Sequence, residues 1–71
     1  MSTTATSVAK VIEITAESPD SFEDAIRRGI EKASETLHGI KAAWVSQQQV
    51  KVEDGAVVAY RVDLKVTFVL D

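Results

Sequence analysis

The stretch from Val58 to Leu70 alternates almost without interruption. Tyr60, Val62, Leu64, Val66, Phe68 and Leu70 fall on one side, and Arg61, Asp63, Lys65 and Thr67 on the other. Such two-residue periodicity over thirteen positions predicts a long β-strand with one face built for a core and one polar face. At ~3.4 Å per residue it spans roughly 40 Å. Whatever else the chain forms has to cover that length.

The only candidate for a cover is a helix between Pro19 and Leu37. Pro19 disfavours helix at Ser18 and suits a first helical turn, and Ser21-Phe22-Glu23-Asp24 fits a capping pattern, so the helix is expected to start between Pro19 and Ser21. Phe22, Ala25, Ile26, Gly29, Ile30, Ala33 and Leu37 lie on one stripe of a 3.6-residue period. Arg27, Arg28, Glu31, Lys32 and Glu35 make the opposite, solvent-facing side, where the spacing of four puts like charges together. Gly39 suits a left-handed cap after the last turn. A helix of this length covers about 25 Å at 1.5 Å per residue. It is too short for the strand.

Two further strands are expected. Val8–Thr15 mixes β-branched residues with Lys10 and Glu13, with Lys10, Ile12 and Ile14 on one face and Ala9, Val11 and Glu13 on the other. In Lys41–Val52 the apolar parity changes between Ala43 and Val45 and the later Val50 and Val52, which a bulge near Gln47–Gln49 would reconcile. Glu53-Asp54-Gly55 reads as the turn of a hairpin. Met1–Ser7 is Ser/Thr-rich and is expected to be a flexible tail preceding one domain over 8–71. The order βαββ predicts an α+β fold in which a three-stranded antiparallel sheet packs on one helix.

Size then demands help from outside the subunit. A 71-residue chain without cysteine and with one histidine has neither a disulfide nor an ordinary structural zinc site to supplement a small core. Association with copies of itself is the remaining route. The net charge of −3, from 8 basic and 11 acidic residues with no basic run, disfavours a nucleic-acid partner. No apolar run reaches the ~20 residues of a membrane span and no hydrophobic signal region is seen, so the expected location is cytoplasmic.

Several segments taken together resemble the dodecin family: KVIEI at Lys10–Ile14, SPDSFEDAI at Ser18–Ile26, ASETL at Ala33–Leu37, Asp54-Gly55, and YRVDLKVTFVLD at Tyr60–Asp71. The resemblance covers nearly everything from Lys10 to Asp71. It implies a hollow homododecamer of cubic symmetry, with helices outside and curled sheets lining the interior. It also implies binding and storage of a flavin (riboflavin, FMN or FAD) rather than turnover. In flavin-binding members a Trp of the second strand stacks on the isoalloxazine ring and a Gln of the third bonds its edge, as a π-face and an amide are suited to do. Here Ala42 falls where that Trp would be and Arg61 where that Gln would be. Trp44 lies two residues on, on the same face of a regular strand and about 6.6 Å along it. Arg61 can stack on a ring or pair with an anion but cannot accept a hydrogen bond. A subgroup of similar proteins with the same Tyr-Arg start and no Trp at that place is associated with calcium, which makes a cation the alternative ligand, although this chain has no dense oxygen-ligand loop.

The candidate ligand-binding residues are therefore Trp44, Gln48 and Arg61, each with a plainer reading. Trp44 suits a subunit interface as well as a ligand platform. Gln47, Gln48 and Gln49 line a polar cavity or are simply solvated. Arg61 contacts a ligand or makes an ion pair with an acid. Glu53 and Asp54 read as solvated turn residues before they read as cation ligands. His38 sits where a helix end favours a cation, and no Cys or Ser-His-acid set accompanies it, so no enzymatic activity is expected. Two functional classes stand: a ligand-storing shell, and a structural or interaction module with a vacant pocket.

Overall fold

In the computed structural model, which describes residues 8–70, the elements run β1 (Val8–Ser18), α1 (Phe22–Ser34), β2 (Ile40–Glu53) and β3 (Ala56–Leu70). The expected tail Met1–Ser7, and Asp71, lie outside the described residues. The fold is the α+β arrangement read from the sequence: one helix on a three-stranded antiparallel sheet of order β1-β3-β2. The last strand is central. β1 pairs with its C-terminal part, from Val8↔Leu70 to Ser18↔Tyr60, whereas β2 runs beside it from Ile40↔Phe68 to Glu53↔Ala56.

The even-numbered residues of β3 make the core. Val62, Leu64, Val66 and Ala25 of the helix are buried, and Ile12, Ile14, Ala16, Phe22, Ile26, Ile30 and Ile40 pack around them. Gly29 lets the helix approach β1 closely: a Cβ there would stand 3.0 Å from the Ala16 Cβ and 3.3 Å from Leu64 Cδ1. At the end of the covered region the rings of Phe22 and Tyr60 meet edge-to-face, 5.2 Å apart and inclined by 75°. Beyond that pair the β2–β3 hairpin continues without a helix over it, and Val50, Val52, Val57 and Val58 are exposed.

The helix N-terminus is held more elaborately than a simple cap. The Asp24 N–H donates to Ser21 Oγ at 2.9 Å, as the capping pattern predicts, but the Asp24 carboxylate does not turn back to Ser21. It accepts instead from Ser18 Oγ at 2.6 Å, Arg28 Nε at 2.6 Å and Arg27 at 2.7 Å. The like-charge spacing on the outer helix face is thus only half the picture. Arg27 and Arg28 find Asp24 one turn back, and Lys32 pairs with Glu35 at 3.3 Å.

Two expectations about the helix end are corrected. α1 has 13 residues and stops at Ser34, short of Leu37. Glu35 and Thr36 form a closing turn, with N–H groups donating to Lys32 and Ala33 carbonyls. Gly39 is accordingly not the helix cap. It lies just before β2 with φ +78°, where its carbonyl accepts from the Val69 N–H at 3.1 Å and a Cβ would come within 3.2 Å of the Val69 carbonyl oxygen. Its left-handed backbone serves the start of a strand. The hairpin turn is as expected, with Asp54 at φ 52° and Gly55 at φ 78°, the two successive positive values of a tight I′ turn. The shorter helix, about 20 Å at 1.5 Å per residue, widens the mismatch with the 15-residue β3.

Candidate functional site

The face of the sheet turned away from α1 carries the polar set. Because cross-strand partners share a face, the register assigns it row by row. Glu13 and Trp44 flank Lys65, Thr15 and Gln47 flank Asp63, and Glu17 and Gln49 flank Arg61. One row further toward the hairpin, Lys51 stands opposite Ala59, beyond the end of β1.

The two sides of this face differ in chemistry. On the β1 side stand Glu13, Thr15 and Glu17, and the Thr15 hydroxyl donates to Asp63 Oδ1 at 3.0 Å. On the β2 side stand Trp44, Gln47, Gln49 and Lys51, an aromatic ring, two amides and an ammonium with no acid among them. Trp44 is half exposed.

Of the candidate residues, the structure brings Trp44 and Arg61 to one face, two rows apart, about 13 Å along β3 at 3.4 Å per residue. Gln48 does not join them. It is partnered with the buried Val62 and so belongs to the helix side of the sheet. The reason is a register slip between Val45 and Gln47, slightly earlier than the bulge expected at Gln47–Gln49. Ser46 is the extra residue, and its hydroxyl donates to the Asp63 carbonyl at 3.1 Å. The slip carries Gln47 and Gln49 to the Trp44 face. The parity change between Val45 and Val50 signals that a residue is inserted, but three identical amides conceal where. Ala42, opposite Thr67, shares the face of Trp44, as a regular strand between them requires.

Comparison with known proteins fits this geometry. The family model described as Dodecin matches residues 8–71, all of the described domain. The chain belongs to the dodecin family. Among curated proteins it is 36% identical over 62 residues to the calcium dodecin of Mycobacterium tuberculosis, covering 87% of each chain. The crystal structure of that protein, a calcium-chelating immunodominant antigen with a novel calcium-binding site, superposes with a TM-score of 0.78 at 34% identity over 90% of this chain and 91% of that one. The dodecin of Streptomyces coelicolor superposes with a TM-score of 0.90 at 32% identity, over 96% of this chain and 97% of that one. The dodecin of Streptomyces davaonensis gives 0.89 at 34% identity, over 94% and 98%. This dodecin therefore shares the whole βαββ unit with its relatives, while the face opposite the helix carries its own residues at Ala42, Trp44 and Arg61.

Proposed function

We propose that the protein is a non-enzymatic binding and storage protein, a self-assembled dodecameric shell that holds a small molecule on the sheet face opposite the helix. The observation that carries this reading is the acid-free strip of Trp44, Gln47 and Gln49 beside Arg61. A half-exposed indole offers a stacking surface and the amides offer donors and acceptors, as a planar heteroaromatic ligand of the flavin type requires. Trp44 takes the stacking role that the family assigns to a residue at Ala42, and Gln47 and Gln49 replace Gln48 as its polar neighbours. Assembly is supported by the bare hairpin, whose valines on both faces have no cover within one subunit. Riboflavin titration tests the ligand. Quenching of flavin fluorescence that is lost in Trp44→Ala is the expected result, and unchanged fluorescence at saturating protein rejects it.

A cation is the second reading, favoured by the 36% identity to a calcium dodecin. No three His, Cys, Asp or Glu side chains gather into a metal site among the described residues. A calcium ion in this dodecin would thus be held between copies, with Glu13, Glu17 and Asp63 as the available oxygens. Calorimetric titration with calcium chloride tests this reading, and an absence of heat at millimolar calcium excludes it.

A further inference from the structure

The hairpin end of the polar face holds two cations that the stacking reading leaves unused. Arg61 and Lys51 sit on the same face in adjacent rows, diagonal to one another, with Gln49 directly beside Arg61. Diagonal neighbours on a sheet face stand about 7–8 Å apart at Cβ, within reach of two long side chains closing on one group. No ion pair or side-chain hydrogen bond engages either cation among the described residues, whereas Arg27, Arg28 and Lys32 of the helix are all paired. The acid nearest in register, Glu17, lies across Arg61 on the β1 side, and β1 ends one residue later. The space over Gln49 and Lys51 therefore faces no carboxylate.

We propose that Arg61, Gln49 and Lys51 form an anion subsite, which takes the phosphate of a ligand whose planar ring lies toward Trp44. This rests on the ligand-binding reading above and adds the ligand's charge and polarity. The guanidinium and ammonium supply charge-assisted donors and the Gln49 amide a neutral one. The roughly 13 Å between the Trp44 and Arg61 rows sets the reach: a ring and a phosphate joined by a flexible chain, as in a mononucleotide. Glu17 forces the anion to the β2 side of Arg61, because on the other side it would meet a like charge.

FMN and riboflavin, which share a ring and differ by one phosphate, test the subsite on the intact assembled protein. FMN is expected to bind about tenfold more tightly at low salt, an advantage that shrinks as sodium chloride is raised. Lys51→Gln should bring the FMN affinity close to that of riboflavin, and Glu17→Gln should widen the gap. Equal affinities of the two flavins for the unaltered protein, or an FMN advantage that survives Lys51→Gln, overturn the subsite and leave the stacking reading standing. If neither flavin binds, the stacking reading falls and the subsite with it.

Discussion

Ser18 Oγ donates to Asp24 Oδ2 at 2.6 Å, tying the last residue of β1 to the first turn of α1. Both groups are buried, and the same Ser18 oxygen accepts the Asp20 N–H at 3.0 Å, so one hydroxyl organises the whole strand-to-helix corner. The Ser18 hydrogen bond, ahead of the Arg27 and Arg28 charges and against the opposing effect of desolvation, holds the Asp24 carboxyl below an aspartate's ordinary pKa. A depressed folded value means that the unfolded chain takes up the proton more readily. The stabilisation is therefore complete above the unfolded pKa of about 3.9 and is lost as pH falls through the lower folded value. Thermal melts between neutral pH and pH 2 should show a steeper acid loss for the unaltered protein than for Asp24→Asn. Parallel profiles would show that Asp24 is not the acid-sensitive group.

Gly29 is a mid-helix position where alanine ordinarily stabilises by about 1 kcal/mol. Here the added methyl would meet the Ala16 Cβ at 3.0 Å, an atom fixed to the β1 backbone that cannot swing aside. Gly29→Ala is expected to destabilise by about 1–2 kcal/mol in urea unfolding, the usual cost of overpacking a tight contact. Ala16→Gly in the same chain should recover part of the loss. A more stable Gly29→Ala protein would show that the helix can lift from β1 at little cost.

The two left-handed glycines should respond differently to alanine. At Gly55 nothing lies within 4 Å of an added Cβ, so only the backbone strain of φ 78° applies, about 1 kcal/mol. At Gly39 the same strain is joined by a 3.2 Å approach to the Val69 carbonyl oxygen. Gly39→Ala should be the more destabilising of the pair in chemical unfolding, and Gly55→Asn nearly neutral, since asparagine tolerates the left-handed region. Equal losses at both positions would remove the Val69 contact from the explanation.

Val50 and Val58 share the helix side of the hairpin and are both exposed in one subunit. If sister copies cover them, Val50→Lys with Val58→Lys removes burial worth about 1.5–3 kcal/mol per side chain. Light scattering should then report a species much smaller than the unaltered assembly. An unchanged mass would place the intersubunit contact elsewhere.

Much of this was legible in the chain. The alternation of Tyr60 to Leu70 fixed the inner and outer faces of β3, and the Phe22–Ala33 stripe fixed which side of the helix meets them, because both patterns are dictated by burial within one subunit. The end of the helix was less visible: Leu37 continues the apolar spacing, but the turn at Glu35 and Thr36 closes first. The candidate site was harder still, since the phase of β2 is imposed by its pairing with β3. Between Val45 and Val50 lie only Ser46 and three glutamines, whose polarity is the same whichever face they take, and so Gln48 was assigned to a side that belongs to Gln47 and Gln49.

The central place of the C-terminal strand has a consequence for biosynthesis. β1 and β2 never touch as neighbours; each finds its partner only in residues 56–70. While the chain is being made, the first four-fifths of it emerges with two strands that have nothing to pair with. The sheet closes only when the final residues are released, so folding of each subunit awaits termination of its own synthesis, and premature truncation removes the element on which both other strands depend.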